Sequence, residues 1–562
     1  MPDIPSPRIA ILAIACLAGI LQCSVFGQAP QAGPVEEALR DRIEQLQCGV
    51  DLSIESVSVA ATQFLAAFYE SRGFAPAWMD ARNVKGLMQT LAGIKEDGLD
   101  PEDYLLSVMR PHIGPEGEIR RLAPQERAQI DILLTESLIR LVYHLRFGKV
   151  NPEALDANWN FTQRFLDKDP VEEVESALAS RSIDRLLQNE IPQLPVYTRL
   201  KTVLARYRAI AASGGWSEIP EGPGLKPGEK HDRVRVLRQR LIAGGDWAGA
   251  KPADPDLFDE PLRQGVVAFQ EKHGLRADGI VGDETLRALN VSVDARIGQI
   301  EVNMERARWM FHDIHLNDDY LLVDIAAFRA HLIKDRRKVW EARVQVGQPY
   351  RKTPVFKADL TYLVFNPTWT VPPTILAKDI LPRLAKDPGY LKEKRLRVLD
   401  RNGRTVDPQN IERSRLSPAN FPYQLMQTPG QNNALGRVKF MFPNRHLVYL
   451  HDTPSQDLFE KSERAFSSGC IRIQNALDLA EILLNDPEKW NGEAIQRVTA
   501  SNKTQTVMIP KPVPVLLLYW TAEANEDGTV SFRKDIYGRD AKILKGLRSR
   551  FGFFSSRTED RP

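Results

Sequence analysis

Cysteine is scarce in this chain, which has only four among 562 residues. Two of them lie in an apolar segment at the N-terminus, so Cys48 and Cys470 are the only cysteines in the rest of the chain. A disulfide between them is one interpretation, since exported proteins often carry disulfides. The two cysteines are far apart in sequence and fall in different predicted domains, so we favour a free, reactive thiol at Cys470.

The chain also lacks an excess of one charge and a metal-binding pattern. Its 75 basic and 73 acidic side chains nearly cancel, which gives nucleic-acid binding no compositional support. The histidines and carboxylates do not cluster at ligand spacing, so we expect no metal and no other cofactor. The length predicts two to four domains.

A long apolar run occurs at the N-terminus, from Ile9 to Phe26, with Arg8 before it and the small residues Gly27 and Ala29 after it. This order is typical of a secretory signal peptide, which we place at residues 1–29. An uncleaved membrane anchor is the alternative, because the run approaches membrane-spanning length. Both interpretations predict export.

The rest of the chain divides into three regions with different residue patterns. Residues 35–215 carry helical apolar periodicity and few strand signals, which predicts a helical scaffold domain, and the glycine- and proline-rich residues 216–230 read as a linker. Residues 231–292 predict three short helices joined by glycine turns at Gly274, Gly279 and Gly282. The stretch "FQEKHGLRADGIVGDET" within them resembles peptidoglycan-binding domains of the PGB-1 type.

Residues 297–525 are rich in β-branched and aromatic runs, which predicts a mostly-β domain. A charged helical insertion at about 374–420 is a candidate lid over a site. Residues 526–562 are assigned to a C-terminal tail. The predicted fold class is therefore multidomain α+β: a helical scaffold domain, a small three-helix domain, and a mostly-β domain with a helical capping insertion.

The segment "RAFSSGCIRIQ" places Cys470 after Gly469 and two residues before Arg472. A thiol attacks as the thiolate, so it needs a base nearby, and His451 at the end of the strand "RHLVYLHDT" is the best candidate. His446 points to the opposite face of that strand. Gly469 would permit a tight turn that aims the Gly469 and Cys470 amides at an oxyanion. A buried structural cysteine is the alternative, and these residues alone leave the two comparable.

A resemblance shifts this balance. The stretch "HDTPSQDLFEKSERAFSSGCIR" resembles the signature of the YkuD-type L,D-transpeptidases. The stretches "VGQPYRKTPVF", "NPTWTVP", "FPYQLMQTPGQNNALGRVKFMFPN" and "YLHDTP" resemble the large YcbB-like subfamily, which has a capping insertion. The order of the domains also matches, so the resemblance spans nearly the whole chain.

The resemblance implies roles for individual residues. Cys470 would be the nucleophile and His451 its base, with the Gly469 and Cys470 amides at the oxyanion hole. Further residues would line the substrate site: Tyr449, Arg472, Ser467, Ser468, Trp369 and Asn366, the last two as part of the acyl-donor wall. The sequence departs from the family pattern at two positions. Ser468 stands where the wider family usually has a histidine, and Asp452 stands where many members have glycine.

The implied activity is formation of 3→3 peptidoglycan cross-links through a Cys470 thioester, in the periplasm or cell envelope. Hydrolytic trimming of stems by a carboxypeptidase and an idle peptidoglycan-binding scaffold are the alternatives. The implied partners are peptidoglycan tetrapeptide stems as donor and acceptor, a membrane if the N-terminal segment is retained, and other cell-wall synthesis enzymes.

Overall fold

A computed structural model of the chain describes residues 33–49, 53–54, 57–155, 169–249, 252–310, 319–387, 389–408, 417 and 421–551. The predicted signal peptide at 1–29 lies outside these residues. Across the described ranges, none of the helices combines the length and the apolarity that crossing a membrane requires.

The N-terminal region is helical, with one two-stranded hairpin. Its elements are α1 (Pro34–Gln47), β1 (Ser53–Ile54), β2 (Val57–Ser58), α2 (Thr62–Ser71), α3 (Ala81–Gly93), α4 (Leu106–Met109), α5 (Pro124–Phe147), α6 (Pro152–Leu155), α7 (Pro170–Ala179), α8 (Ile183–Glu190) and α9 (Pro195–Ala212). Helix α5 begins with Pro124, whose fixed φ suits the first helical turn, and ends at Phe147, followed by Gly148 as the C-cap with a φ of 84°. Its buried residues form the centre of an apolar core, as the helical periodicity predicts.

The next module is the predicted three-helix domain, built from α10 (Asp232–Ala243), α11 (Glu260–Lys272) and α12 (Asp283–Leu289). The buried amide of Gln270 accepts from the Gly279 N–H and donates to Ile280 O and Thr285 Oγ1, so it holds the loop between α11 and α12. The predicted linker is not a free spacer, because Ile219 and Leu225 are buried in the core of this module.

Helix α13 (Val293–Met310) leads into a region of strands. These are β3 (Tyr320–Asp324), β4 (Arg329–Lys334), β5 (Arg337–Gly347), β6 (Phe356–Phe365), β7 (Trp369–Thr370), β8 (Leu396–Leu399), β9 (Thr405–Val406), β10 (Gln424–Gln427), β11 (Val438–Met441), β12 (Leu450–His451), β13 (Ala465–Ser467), β14 (Ile471–Ile473), β15 (Gln505–Leu518), β16 (Ala522–Ala524) and β17 (Val530–Phe532). The helices among and after them are α14 (Pro373–Ile375), α15 (Leu381–Leu384), α16 (Tyr390–Glu393), α17 (Ala476–Leu484), α18 (Gly492–Ala500) and α19 (Asp540–Leu547).

Within the described residues, nine of these strands form one sheet in the order β13-β5-β14-β12-β11-β6-β15-β3-β4. Strand β4 also pairs with β5, so the sheet closes into a barrel. Most pairs are antiparallel, but β12 runs parallel to β14. This parallel pair places the residues around His451 beside those around Cys470.

The barrel and the helical region are not separate bodies. Helices α9 and α13 contribute buried residues to the core that fills the barrel, while Val302 of α13 packs into the core of the helical region. The segment assigned to a C-terminal tail also contributes, because it contains β17 and α19, and Ile543 and Leu547 are buried against the helical region.

The predicted capping insertion differs from the expectation, because it is not purely helical. Strands β7, β10, β8 and β9 form a four-stranded sheet, so the insertion spans Trp369 to Gln427 rather than starting near 374. These strands and α14–α16 share a small apolar core of their own. Sheet pairing between β7 and β10 explains the wider bounds, because two-residue and four-residue strands leave a weak pattern in the sequence.

Candidate active site

The site lies on the outer face of four neighbouring barrel strands. The inward residues of these strands are fully buried in the barrel core: Val344, Val346, Ile471, Ile473, Leu450, Val438 and Phe440. Side chains alternate along a strand, so the residues between them face outward. The register aligns four of these in one row, Gln345, Arg472, His451 and Lys439, one from each strand.

Cys470 directly precedes β14 and lies beside Tyr449, since the Ile471 N–H donates to Tyr449 O at 3.1 Å. His451 follows Tyr449 by two residues on the same face, which makes Cys470 and His451 diagonal neighbours across the parallel pair. The structure thus brings together the two residues predicted from sequence as nucleophile and base.

The tautomer of His451 follows from its hydrogen bond. Its Nδ1 lies 2.5 Å from the carbonyl oxygen of Asp452, which can only accept, so Nδ1 carries the proton and Nε2 is the basic nitrogen. The Asp452 carboxylate accepts from the Arg437 N–H, so it is the backbone of Asp452 that orients the ring. Burial, helped by the positive charge of Arg472, lowers the pKa of His451 to about 3. The imidazole is therefore neutral at neutral pH.

Opposing effects act on the thiol of Cys470. Burial raises its pKa, while the N–H and phenol O–H of Tyr449, then the charges of Lys439 and Arg472, lower it. The sulfur also lies 3.9 Å from Leu447 O. The raised pKa of the thiol and the lowered pKa of His451 keep both groups uncharged at rest, while hydrogen-bond donors and cations lie near the sulfur for the thiolate.

Lys439 is the cation placed most closely on Tyr449. Its Nζ lies 3.9 Å from the centroid of the Tyr449 ring, and the Tyr449 and His451 rings are 5.7 Å apart. Burial lowers the pKa of Lys439, whereas the nearby Cys470 opposes this shift. Burial, reinforced by Cys470, raises the pKa of the Tyr449 phenol, so Tyr449 stays a hydrogen-bond donor.

The turn before Cys470 is held by Ser467 and Thr353. The Ser467 hydroxyl donates to Cys470 O at 2.5 Å and accepts from the Gly469 N–H at 3.1 Å. Thr353 Oγ1 donates to the carbonyl of Gly469 at 2.9 Å. Gly469 adopts a φ of 118°, which only glycine tolerates readily, as the predicted tight turn requires.

This turn corrects two expectations. The Gly469 N–H is used by Ser467, so it does not point to an oxyanion, and the amide of Cys470 is the remaining candidate of the two. Ser467 is only 2% exposed and hydrogen-bonds within the turn, so it shapes the site instead of lining it.

A cleft of about 520 Å³ lies between the barrel and the capping insertion. Trp369, Ser468 and Arg472 line it, and their contact with a substrate stays a prediction. Arg472 donates to Gln345 at 3.1 Å, which holds its guanidinium at the cleft. Ser468 is exposed at the cleft, two residues before Cys470 in the sequence.

Asn366 lies elsewhere. Its side-chain amide donates to Val498 O at 2.8 Å and to Lys503 O at 3.1 Å, and the residue is 2% exposed. Its φ of 48° is in the left-handed region, which asparagine tolerates better than most residues. Asn366 therefore fixes a turn after β6 and does not line the cleft.

Sequence reasoning missed three residues at the site, namely Lys439, Gln345 and Arg351. Arg351 donates to Ser468 Oγ at 2.8 Å and forms an ion pair of 2.5 Å with Asp379 of the cap. Asp379 belongs to a π-helical turn, Leu376–Ile380, next to Pro382, which cannot donate to Lys378 O. The alternation in "RVKFMF" marks Lys439 as outward, but only the register shows which residues it meets.

Three family models match the chain. They are "Scaffold domain" at 63–204, "Putative peptidoglycan binding domain" at 230–289, and "L,D-transpeptidase catalytic domain" of the YkuD family at 318–509. The last two matches confirm the resemblances drawn from the motifs, although the YcbB-like subfamily stays a prediction.

Individual relatives agree with these matches. A "Putative L,D-transpeptidase" of Haemophilus influenzae is 36% identical over 245 residues, which is 44% of this chain and 48% of the relative. A "Probable N-acetylmuramoyl-L-alanine amidase" of Bacillus licheniformis is 31% identical over 103 residues, 18% of this chain and 29% of the relative. The chain spans less than half the length of either curated relative.

A crystal structure of the L,D-transpeptidase (residues 123–326) from Xylanimonas cellulosilytica shares 16% identity. The match covers 53% of this chain and 99% of that chain, with a TM-score of 0.18, which is too low to relate the folds. The domain matches and the predicted multidomain fold class agree with the observed helical region, three-helix module and strand-rich domain. This chain carries an L,D-transpeptidase catalytic domain of the YkuD family, preceded by a peptidoglycan-binding domain and a scaffold domain.

Proposed function

We propose that the chain is an exported L,D-transpeptidase of the YcbB-like subfamily that forms 3→3 cross-links between peptidoglycan stems. The observation that carries the proposal is that adjacent parallel strands place Cys470 and a tautomer-fixed His451 on one barrel face, while Ser468 and Arg472, on either side of Cys470, line a capped cleft. The capping insertion supports the subfamily, and the cell-wall-acting domains support a periplasmic or cell-envelope location.

The reaction proceeds in two halves. Nε2 of His451 takes the thiol proton as the Cys470 sulfur attacks the carbonyl of the third stem residue. The tetrahedral intermediate collapses when its amide bond breaks, and the departing D-alanine amine takes the proton from His451. A thioester remains. The side-chain amine of a second stem then attacks, loses a proton to His451, and expels the thiolate, which takes that proton back.

The surroundings of the thiol suit the steps in which negative charge develops. Tyr449 donates to the sulfur, while Lys439 and Arg472 place positive charge on the same face. These groups are held by strand register before the substrate arrives, so little reorganisation is required in the transition state. The amide of Cys470 is the proposed oxyanion donor.

The cleft supports donor-stem binding. Arg472 and Arg351 present guanidinium groups there, and these match the fork geometry of a substrate carboxylate. Trp369 offers an apolar wall. The peptidoglycan-binding domain would raise the local concentration of stems by tethering the enzyme to its polymer.

Mass spectrometry tests the proposal. The purified protein is incubated with a disaccharide-tetrapeptide, and we expect an acyl adduct on Cys470 that has lost D-alanine, followed by a cross-linked dimer. The Cys470→Ala variant should lose the adduct and keep its binding to sacculi. A parent protein that yields neither adduct nor product would refute an enzymatic role, and a trimmed tripeptide without a dimer would assign a carboxypeptidase.

A further inference from the structure

Tyr537 lies beyond the part of the chain that matches the catalytic domain, which ends at residue 509. It follows β17, in the segment that the sequence assigns to a C-terminal tail. The residue is nonetheless only 4% exposed and belongs to the apolar core that fills the barrel. The proposed acyl transfer assigns no role to it.

The hydroxyl group of Tyr537 holds both ends of the loop that follows β5. It donates to Gly347 O at 2.7 Å, at the end of the strand, and accepts from the Thr353 N–H at 3.1 Å. The loop folds back closely between these two residues, since a Cβ atom on Gly347 would overlap Arg351 O. Lys352 Nζ adds a hydrogen bond of 2.8 Å to the carbonyl oxygen of Tyr537. One phenol therefore closes the base of this loop.

Thr353 extends this contact to the turn before Cys470. Its buried hydroxyl accepts from the Gly347 N–H at 2.8 Å and donates to Gly469 O at 2.9 Å. Gly469 O and the Cys470 N–H belong to one planar trans peptide unit, in which the two groups point in opposite directions. The hydrogen bond from Thr353 therefore fixes the direction of the Cys470 N–H, which is the proposed oxyanion donor.

Tyr537 is itself held from the side of α19. Its N–H donates to the Tyr519 hydroxyl at 2.9 Å, the centroids of the two stacked rings are 5.4 Å apart, and the Tyr519 hydroxyl donates to Asp535 at 2.6 Å. The Asp535 carboxylate also accepts from two backbone N–H groups at the start of α19. Ile543 and Leu547 of that helix are buried against the helical region. Contacts with both the barrel and the helical region thus fix the position of Tyr537.

We propose that Tyr537 is a positioning residue for acyl transfer, which aims the Cys470 N–H at the oxyanion through Thr353 and Gly469 O. This inference rests on the proposed function, because an oxyanion forms only when the Cys470 sulfur attacks a carbonyl group. An oxyanion donor lowers the barrier only when it is already aimed at the position where the charge develops, so a small rotation of its peptide unit costs rate. Tyr537 is not among the residues that line the cleft, so its loss should act on kcat.

Two reactions of Cys470 separate this role from a general effect on folding. Turnover of a disaccharide-tetrapeptide, measured as release of D-alanine, passes through an oxyanion, whereas alkylation by iodoacetamide does not, although both need the thiolate. Both are measured on the full chain in a Cys48→Ser background, because Cys48 is an exposed free thiol. We expect Tyr537→Phe to lower kcat about tenfold, with KM and the rate of alkylation at pH 8 within about twofold of the parent.

Thr353→Val is the second variant, because valine keeps the branched shape of the side chain but loses the hydrogen bond to Gly469 O. It should lower kcat by a similar factor. The double variant with Tyr537→Phe should lose no more than the larger of the two single losses, since both side chains act through the same series of hydrogen bonds. Losses that multiply in the double variant would overturn the inference.

Tyr207→Phe is the matched control, because Tyr207 is 3% exposed in the same core and packs against Trp216 and Phe532. It should keep both rates within about twofold of the parent. Equal losses of turnover and alkylation in Tyr537→Phe, or a loss of turnover in Tyr207→Phe as large as in Tyr537→Phe, would assign a general structural effect and overturn the inference. A parent protein that releases no D-alanine would refute the proposed function and this inference with it, whereas an active parent beside an equally active Tyr537→Phe variant would refute this inference alone.

Discussion

The barrel face and the cap build opposite walls of one cleft by different means. On the barrel, Arg472, His451 and Lys439 are aligned by the backbone register of adjacent strands, whose inward neighbours are fully buried. The cap has a separate apolar core, and a side-chain bridge from Asp379 through Arg351 to Ser468 connects it to the nucleophile turn, Ser467–Cys470.

This difference predicts that the barrel face and the cap affect different steps of the reaction. A register shift would turn every outward residue of a strand inward, so the barrel residues are held by the same pairing that holds the core. A bridge between partly exposed side chains contributes far less free energy. Changes on the barrel face should therefore alter the chemical step, and changes at the bridge should alter substrate binding.

The largest effect is expected for His451→Gln. Loss of the general base should lower kcat by about 10²- to 10⁴-fold, measured as dimer formation from disaccharide-tetrapeptide. His446→Gln is the matched control, because the ring of His446 packs against Phe356 with the ring centroids 4.9 Å apart, and the variant should retain activity within about threefold. Equal losses in both variants would remove His451 from its proposed role.

The second expected effect is on the pH dependence of the thiol. Burial raises the pKa of Cys470, and His451, with a pKa of about 3, stays neutral above that pH. Alkylation by iodoacetamide should therefore rise about tenfold per pH unit up to a pKa above the ordinary value of about 8.5. The experiment uses a Cys48→Ser background, because Cys48 is an exposed free thiol. A plateau between pH 4 and 7 would instead indicate a thiolate–imidazolium pair.

The third expected effect concerns Lys439, the cation beside Tyr449. Lys439→Met removes a positive charge that favours the thiolate, so it should raise the pKa of Cys470 further and slow alkylation at pH 7 by about three- to tenfold. Lys511→Met, on the exposed part of β15, is the control and should leave the titration unchanged. An unaltered thiol pKa in Lys439→Met would show that this charge does not reach the sulfur.

Features carried by local sequence motifs could be predicted, whereas contacts made by strand pairing could not. The three-helix module and the roles suggested for Cys470 and His451 rest on local motifs, and the matched domains agree with those motifs. Lys439 and Gln345 come from strands distant in sequence, and only the pairing of β11 and β5 with the strands of the site makes them neighbours. Asn366 and Ser467 were misplaced because side-chain hydrogen bonds to the backbone leave no periodic signal.

The smallest effect is expected at the bridge between the cap and the nucleophile turn. Asp379→Asn keeps the shape of the side chain but removes its charge, so the ion pair with Arg351 weakens and the guanidinium is held less firmly at Ser468. Because Asp379 is partly exposed, we expect KM for the donor to rise about two- to fivefold with kcat nearly unchanged. Asp387→Asn on the same insertion is the control, since asparagine can still accept from the Gly389 N–H. A fall in kcat without a change in KM would mean that the bridge positions Ser468 for the chemical step, and the proposed division between barrel and cap would then be wrong.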